Sequence, residues 1–279
     1  MYPHFPESLR AVLKTLPHVG LCIDNYRYPR CASPQAALHT MSIPAASLVS
    51  FTAYTMRNVA IVELLQDLLV ASRRLDRLIF KVRPQSFNAE RGKFPAIRRL
   101  VLSSGDNWLY TPEDTLKIWD FSRLEELEIS WNIAAPFLES VPLQELSGLK
   151  RLEIDNSCWS CYWHLQPGLR EPYTADITRL LGTLLSHCHR LETLDIKCEL
   201  NPIDISLISN QRDSLQVLRL FDVVSFETEG HVPTLSLTHL EMLQSSCARL
   251  STLALGINRN GEEVRFLFLA VLGNFMLPN

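Results

Sequence analysis

The chain has 279 residues, 47% of them apolar and 20% charged, with a formal net charge of −3. That apolar share is ample for a continuous core, and without a basic excess the chain is not expected to bind nucleic acid nonspecifically. Ten glycines form no phosphate-binding loop and no nucleophile elbow, and there is no HExxH.

The first residues, MYPHFPESLRAVL, lack the basic start and apolar centre of a secretory leader. Residues 1–15 are expected to form an N-terminal cap, with one helix over Pro6–Thr15. From there a short pattern, Leu-x-x-Leu-x-Leu with apolar substitutions, recurs along the chain. It begins at Leu16, Leu48, Leu75, Ile97, Leu124, Leu149, Leu191, Leu215 and Leu250. The plainest copies are LEELEISWN at Leu124, LKRLEIDNS at Leu149 and LSTLALGIN at Leu250. Most intervals fall in or near the range of leucine-rich repeats.

Apolar residues at places one, four and six do not share a helical face. Places four and six do share one face of an extended strand. Leu127 and Ile129 are therefore expected to point inward, and Glu126, Glu128 and Ser130 outward. The ninth place calls for a turn residue whose side chain can bond free backbone groups. Asn132 and Asn258 fill it in two copies, and Asp24 fills it in the first.

Helices are expected between the strands. Asn58–Arg74 carries apolar residues at helical spacing. Thr111 and Pro112, followed by Glu113 and Asp114, read as an N-cap, a first-position proline and two acids suited to a helix start. Tyr173–Arg190, Leu235–Arg249 and a C-terminal segment, residues 262–277, supply three more. The unit from Leu149 to Leu191 is the longest and is expected to carry a projecting loop over Cys158–Pro172. The last segment places Phe266, Leu267, Phe268, Leu269, Val271 and Leu272 in near succession, more apolar surface than one neighbouring strand can cover.

One strand with one apolar edge cannot bury that edge alone, but stacked copies bury it together. The expected fold is α/β: a curved leucine-rich-repeat solenoid, or horseshoe, with a parallel sheet on the concave face and helices and turns on the convex face. It forms a single domain over residues 1–279, with nine irregular repeats and no visible boundary.

Two stretches are more specific than the generic repeat. LSHCHRLETLDI (Leu185–Ile196) and LQSSCARLSTLAL (Leu243–Leu255) place Leu, two residues in the first and three in the second, then Cys and two residues before the strand motif. ASRRLDRLIF (Ala71–Phe80) keeps the frame with Ser72 in the Cys place. The chain thus resembles the cysteine-containing leucine-rich repeats of F-box proteins, within the ribonuclease-inhibitor-like superfamily. Its irregular unit lengths are similar to those of F-box/leucine-rich-repeat proteins of filamentous fungi. The resemblance implies a protein-interaction module, the substrate-recognition part of a ubiquitin-ligase adaptor. The second reading is a free-standing binding or inhibitor protein with no ligase link. An F-box is a helical segment ahead of the repeats, and no such segment is expected before the strand at Leu16. The chain is therefore expected to be a fragment of a longer product or one without the recruiting arm.

Binding is expected on the outward strand positions and the central loops. The fifth places, in order, are Gly20, Thr52, Ile79, Val101, Glu128, Glu153, Asp195, Arg219 and Ala254. Three successive acids would stand in a row about 4.8 Å apart, where like charges side by side are unfavourable. Such a row would hold a basic peptide; alternatively Arg99, Arg151, Lys197 and Arg219 neutralise it from within. Trp108, Tyr110, Trp131, Trp159, Tyr162 and Trp163 cluster just past the central strands, either packed against the next unit or forming a rim that meets a partner. Phe221, at the seventh place of its motif, should face out. The partner-binding candidates are Glu128, Glu153, Asp195, Arg219, Arg151, Phe221, Trp131, Trp159 and Trp163.

Cys158 and Cys161 form a single pair, where a zinc site wants two pairs or a pair with spaced histidines. The expectation is structural cysteine, with no metal and no cofactor. His187 and His189 flank a framework cysteine at a helix end, where a histidine interacts well with the helix dipole. No acid, base and nucleophile set is visible, so the chain is not read as an enzyme. The apolar stretch Val264–Leu277, broken by Arg265, Gly273 and Asn274, is too short to span a bilayer. Seven cysteines without a leader point to reduced thiols in the cytoplasm or nucleus. The expected partner is a protein, and a ubiquitin-ligase scaffold if an F-box lies upstream; neither nucleic acid nor membrane is expected.

Overall fold

The computed structural model describes residues 7–27, 40–54, 59–81, 87–103, 108–155, 167–197, 205–211, 213–221, 237–255 and 267–270. The chain is α/β and divides into two compact units, Met1–Leu124 and Glu125–Asn279.

In the first unit, strands β1 (Leu21–Arg27), β2 (Leu48–Tyr54), β3 (Arg77–Lys81) and β4 (Arg99–Leu102) lie side by side in chain order, all parallel. Phe51, Leu78 and Leu100 share one register position, and Ala53, Phe80 and Leu102 the next but one. All six are buried, as the two-residue period of a strand requires of its inward face. Helices α1 (Glu7–Thr15), α2 (Val59–Ala71) and α3 (Pro112–Ile118) and two 3-10 turns, Ala45–Ser47 and Ala89–Arg91, complete the described elements. Helix α3 starts as its sequence dictates: the Thr111 hydroxyl accepts the Asp114 N–H at 3.1 Å, and Pro112 opens the first turn. Beside the sheet, Trp119 meets Phe94 edge-on with ring centroids 4.9 Å apart, and Phe80, Phe87 and Trp108 close round it.

The first repeat departs from the expected frame. Its strand pairs Leu21 with Leu48 and Ile23 with Phe51, so Leu21 stands where Leu16 was expected. Leu16 instead continues α1, its N–H bonding the Val12 carbonyl at 2.9 Å, and it is exposed. Gly20 precedes the strand, where an added Cβ would lie 2.7 Å from Val49 Cγ2. Asp24, expected in a closing turn, is inside β1, and its carboxylate accepts the Thr52 hydroxyl at 3.4 Å.

In the second unit, β5 (Glu126–Ser130), β6 (Arg151–Asp155), β7 (Thr193–Lys197), β8 (Val217–Phe221) and β9 (Thr252–Leu255) are parallel in chain order. Leu127, Leu152, Leu194, Leu218 and Leu253 occupy one register position along all five strands. Ile129, Ile154, Ile196, Leu220 and Leu255 occupy another. Leu127, Ile129, Leu152, Ile154, Leu194, Ile196, Leu218 and Leu253 are buried, and each such burial stabilises the fold by about 1.5–3 kcal/mol. A second regularity lies in the backbone. The carbonyl at place two of one repeat accepts the N–H groups at places two and three of the next. Glu125 accepts from Lys150 and Arg151, Lys150 from Glu192 and Thr193, Glu192 from Gln216 and Val217, and Gln216 from Ser251 and Thr252, all at 2.7–3.0 Å. This satisfies backbone groups that would otherwise be stranded where the strands begin.

The connecting helices are α4 (Trp131–Ser140), α5 (Pro167–His187), α6 (Ile205–Ser209) and α7 (Leu237–Ser246), each packed on the next. Three expectations change here. Helix α4 follows β5 without a turn, so Asn132 sits in its first turn rather than closing a strand, and Ser130 is buried as its N-cap. Helix α5 begins at Pro167, which takes Pro167–Pro172 out of the expected loop; Cys158 to Gln166 lie outside the described residues. The expected C-terminal helix is replaced, in its described part, by strand β10 (Leu267–Ala270), antiparallel to β9. A run apolar on every side has no helical stripe to bury, and pairing with β9 satisfies an otherwise open sheet edge. Among the described residues no helix is long and apolar enough to cross a membrane.

Candidate functional site

The row of acids expected from the repeat frame is present in the second unit. Register pairs Glu128 with Glu153, Glu153 with Asp195, Asp195 with Arg219 and Arg219 with Ala254. Glu128, Glu153 and Asp195 each lie between two buried aliphatics of their strand, and the alternation turns them to the opposite face.

The row is compensated from within. Arg151 Nη2 lies 2.8 Å from Glu153 Oε2, and Lys197 Nζ lies 3.5 Å from Glu153 Oε1. Lys197 also stands 3.6 Å from Asp195 Oδ2, which Arg219 Nη1 approaches to 3.1 Å. Charges therefore alternate from Arg151 through Glu153, Lys197 and Asp195 to Arg219. Burial pushes the Glu153 carboxyl up, but the hydrogen bond from Arg151 and the charge of Lys197 outweigh it and hold the group below the usual glutamate range. The same hydrogen bond raises Arg151 above its ordinary value, against the opposing effect of burial. The cluster can bridge neighbouring strands and present a patterned polar surface, and its positive members offset the charge that a basic ligand would need.

Asp195 is the most enclosed member, with 1% of its side chain exposed. Its Oδ1 is buried without a hydrogen-bond partner among the described residues, and so is Nε of Arg219. The two atoms belong to facing groups: a guanidinium turned to offer Nε and Nη together would satisfy both.

Other outward positions are less open than the strand pattern alone implies. Thr52, Ile79, Val101 and Ala254 are all buried. Ile79 and Val101 are register neighbours, close enough to cover one another in part. Glu128, Glu153 and Arg219 keep part of their surface.

The aromatic candidates divide. Trp131 is 2% exposed in the first turn of α4 and offers no ring to a partner, so it leaves the candidate set. Trp108 is equally buried, against Tyr110 and Trp119. The Tyr110 hydroxyl accepts the Phe87 N–H at 3.0 Å, and burial lifts its phenol above the ordinary range. Trp159, Tyr162, Trp163, Cys158, Cys161, His164 and Asn258 lie outside the described residues. Phe221 is the last residue of β8, opposite Lys197 in register, and its side chain lies outside the described residues.

The framework cysteines pack as the repeat frame requires. Cys188 is buried, its thiol 3.4 Å from the Leu146 carbonyl, and burial pushes its pKa up to about 12. Cys247 is buried and shifted in the same direction. Ser72, in the equivalent place, donates to the Leu68 carbonyl at 2.6 Å. Gln211 takes the corresponding place before β8, which sequence reasoning missed. Its buried amide donates to the carbonyls of Leu185 and Cys188 at the end of α5. The visible signal was a polar residue at the framework slot, in a repeat with one additional residue before its strand motif. Among the described residues, no group of three or more His, Cys, Asp and Glu side chains is placed to hold a metal ion.

Comparison with known proteins returns no match: no family model, no curated protein and no solved structure.

Proposed function

We propose that this chain is a protein-interaction module, a curved leucine-rich-repeat solenoid whose outward strand positions and central loops receive a protein partner. The observation that carries this reading is the register of the second unit. Three adjacent strands bury the same Leu and Ile pair, and two more keep aliphatics in register with it, while the residue between them changes from Glu128 and Glu153 to Asp195, Arg219 and Ala254. A constant core beside a variable row, of which Glu128, Glu153 and Arg219 keep part of their surface, is the arrangement by which repeat proteins vary what they bind without changing how they fold. The compensated charges of the row favour a partner of mixed charge over a purely basic peptide, since both signs are already present within a few ångströms. Among the candidates Glu128, Glu153, Arg151 and Arg219 remain, while Asp195 is enclosed; Trp159, Trp163 and the side chain of Phe221 lie outside the described residues.

The resemblance of the Cys-containing repeats to those of F-box proteins makes the substrate-recognition part of an F-box type ubiquitin-ligase adaptor the leading form of this proposal, in the cytoplasm or nucleus. The test is crosslinking affinity purification from the native cell, with the wild-type chain and a Glu128→Lys, Glu153→Lys double variant as baits. Recovery of a ubiquitin-ligase scaffold with further proteins that the variant loses supports the adaptor reading. Loss of specific partners without any scaffold supports a free-standing binding protein. A bait whose partners are the same with and without the row overturns the placement of the surface.

A further inference from the structure

We infer, resting on the reading of the second unit's outward row as the protein-binding surface, that the segment seated there is a helix of about three turns, acidic at its start and basic at its end. Three outward places of each strand align from β5 to β8. On β5 they hold Glu126 and Glu128, a formal charge of −2. On β6 they hold Arg151, Glu153 and Asp155, which leave −1. On β7 Asp195 and Lys197 cancel to 0, and on β8 Arg219 gives +1. The remaining places are neutral: Ser130, Thr193, Val217 and Phe221. The charge of this face thus rises by one unit per strand, from −2 to +1. The ion pairs from Arg151 to Arg219 tie neighbouring side chains together without moving charge from one strand to another, so the field across the strands persists.

Spacing selects a helix as the occupant. Neighbouring strands stand about 4.8 Å apart. Side chains three or four residues apart on a helix stand about 5–6 Å apart, so successive ones meet successive strands. Same-face side chains of an extended peptide stand about 6.8 Å apart and fall out of step. From β5 to β8 is about 14 Å, roughly ten residues of helix. Charge then sets the order. Lys or Arg side chains belong over Glu126 and Glu128, and Asp or Glu side chains over Arg219. A helix is itself stabilised by acids in its first turn and bases in its last. The segment therefore lies with its C-terminal end over β5 and its N-terminal end over β8. The partial charges of its termini oppose this placement but are smaller than the full charges of the side chains. A uniformly basic segment would meet Lys197 and Arg219 at one end, and a uniformly acidic one the two β5 glutamates at the other. Asp195 is enclosed, so it adds to the field without touching the partner.

The test uses the full 279-residue chain and fluorescence anisotropy at low salt, where exposed charges are least screened. The probes are labelled, stapled helical peptides of equal length. One has two Glu in its first turn and two Lys in its last; a second carries the same four residues alternating along the helix. Two more carry four Lys or four Glu. The bipolar peptide is expected to bind about tenfold tighter than each of the others. Glu126→Gln with Glu128→Gln, checked as folded by circular dichroism, is expected to remove that preference. A photo-crosslinking residue at the basic end of the bipolar peptide is expected to mark β5, and one at the acidic end β8. Equal binding of the bipolar and alternating peptides, tighter binding of either uniform peptide, an unchanged preference in the double variant or crosslinks in the reverse order overturns the helix and its charge order. If the Glu128→Lys, Glu153→Lys bait still loses partners when that happens, the protein-binding surface stands without this occupant. A bait that keeps all its partners overturns the surface and the helix together.

Discussion

Arg219 donates from Nη1 to Asp195 Oδ2 at 3.1 Å across the β7–β8 register, and the accepting carboxylate is almost wholly enclosed. Removing one partner of such a pair strands a buried charge, whereas replacing both by apolar groups is often neutral. Arg219→Leu is therefore expected to cost about 2 kcal/mol, since Asp195 keeps only the longer contact to Lys197. Asp195→Leu with Arg219→Leu should recover most of that loss. Urea unfolding of the two single variants and the double decides it: a double variant as unstable as the sum of the singles would mean the two residues do not act as a pair.

Glu153 makes the second unit sensitive to acid. Burial alone would raise its pKa, but Arg151 and Lys197 hold it lower in the folded chain than in the unfolded one. The sign follows from linkage: the stabilisation is present above the ordinary glutamate range, near pH 4.3, and is lost as pH falls through the folded value. The difference in melting temperature between the parent and Glu153→Gln is expected to be largest at neutral pH and to shrink below about pH 4. A difference that stays constant across that range would remove Glu153 from the ladder's energetics.

Most of this architecture was legible because it depends on period. The aliphatic pairs Leu127 with Ile129 and Leu152 with Ile154 announce strands, and equal spacing puts Glu128 beside Glu153 before any coordinate is known. Where the period was weak, reading failed. Leu16 mimicked the first place of a repeat, yet Leu21 holds it, because a helix end and a strand start adjoin there with no marker stronger than Pro17. Helix α4 was hidden by Pro136 within it and by the absence of any spacer after β5. Strand β10 was hidden because a short continuous apolar run does not distinguish helix from strand. Burial of Trp131 was not legible either, since the sequence shows that an aromatic follows a strand but not which side of the next element it takes.

Thiol chemistry should follow burial. Cys22 is exposed, while Cys188 and Cys247 are enclosed and their thiols are disfavoured from ionising. Iodoacetamide at neutral pH, followed by peptide mass spectrometry, is expected to modify Cys22 rapidly and the other two only under denaturing conditions. Rapid native-state labelling of Cys188 would show that the end of α5 opens locally, contrary to its packing.

Gln211 is expected to matter more than a residue near a helix end usually does. Its buried amide donates to two carbonyls at the end of α5, those of Leu185 and of Cys188 just beyond it. Gln211→Ala should cost about 1–3 kcal/mol for the stranded acceptors. Gln211→Glu should be at least as harmful, since a carboxylate cannot donate. Denaturant midpoints measure both, and a loss below half a kilocalorie in each would show that water replaces the cap.

Strand β10 covers an edge. It pairs antiparallel with β9, matching Leu267 to Leu255 and Phe268 to Ala254. Without it, β9 would present free backbone groups of the kind that template pairing between chains. Successive residues of an antiparallel strand alternate in the direction of their N–H groups. Proline at 268 or at 269 therefore removes a ladder donor in one case and a solvent-facing N–H in the other. One of Phe268→Pro and Leu269→Pro is expected to increase self-association by static light scattering, and the other to change it much less. If neither does, while circular dichroism shows both folded, β10 does not protect the β9 edge.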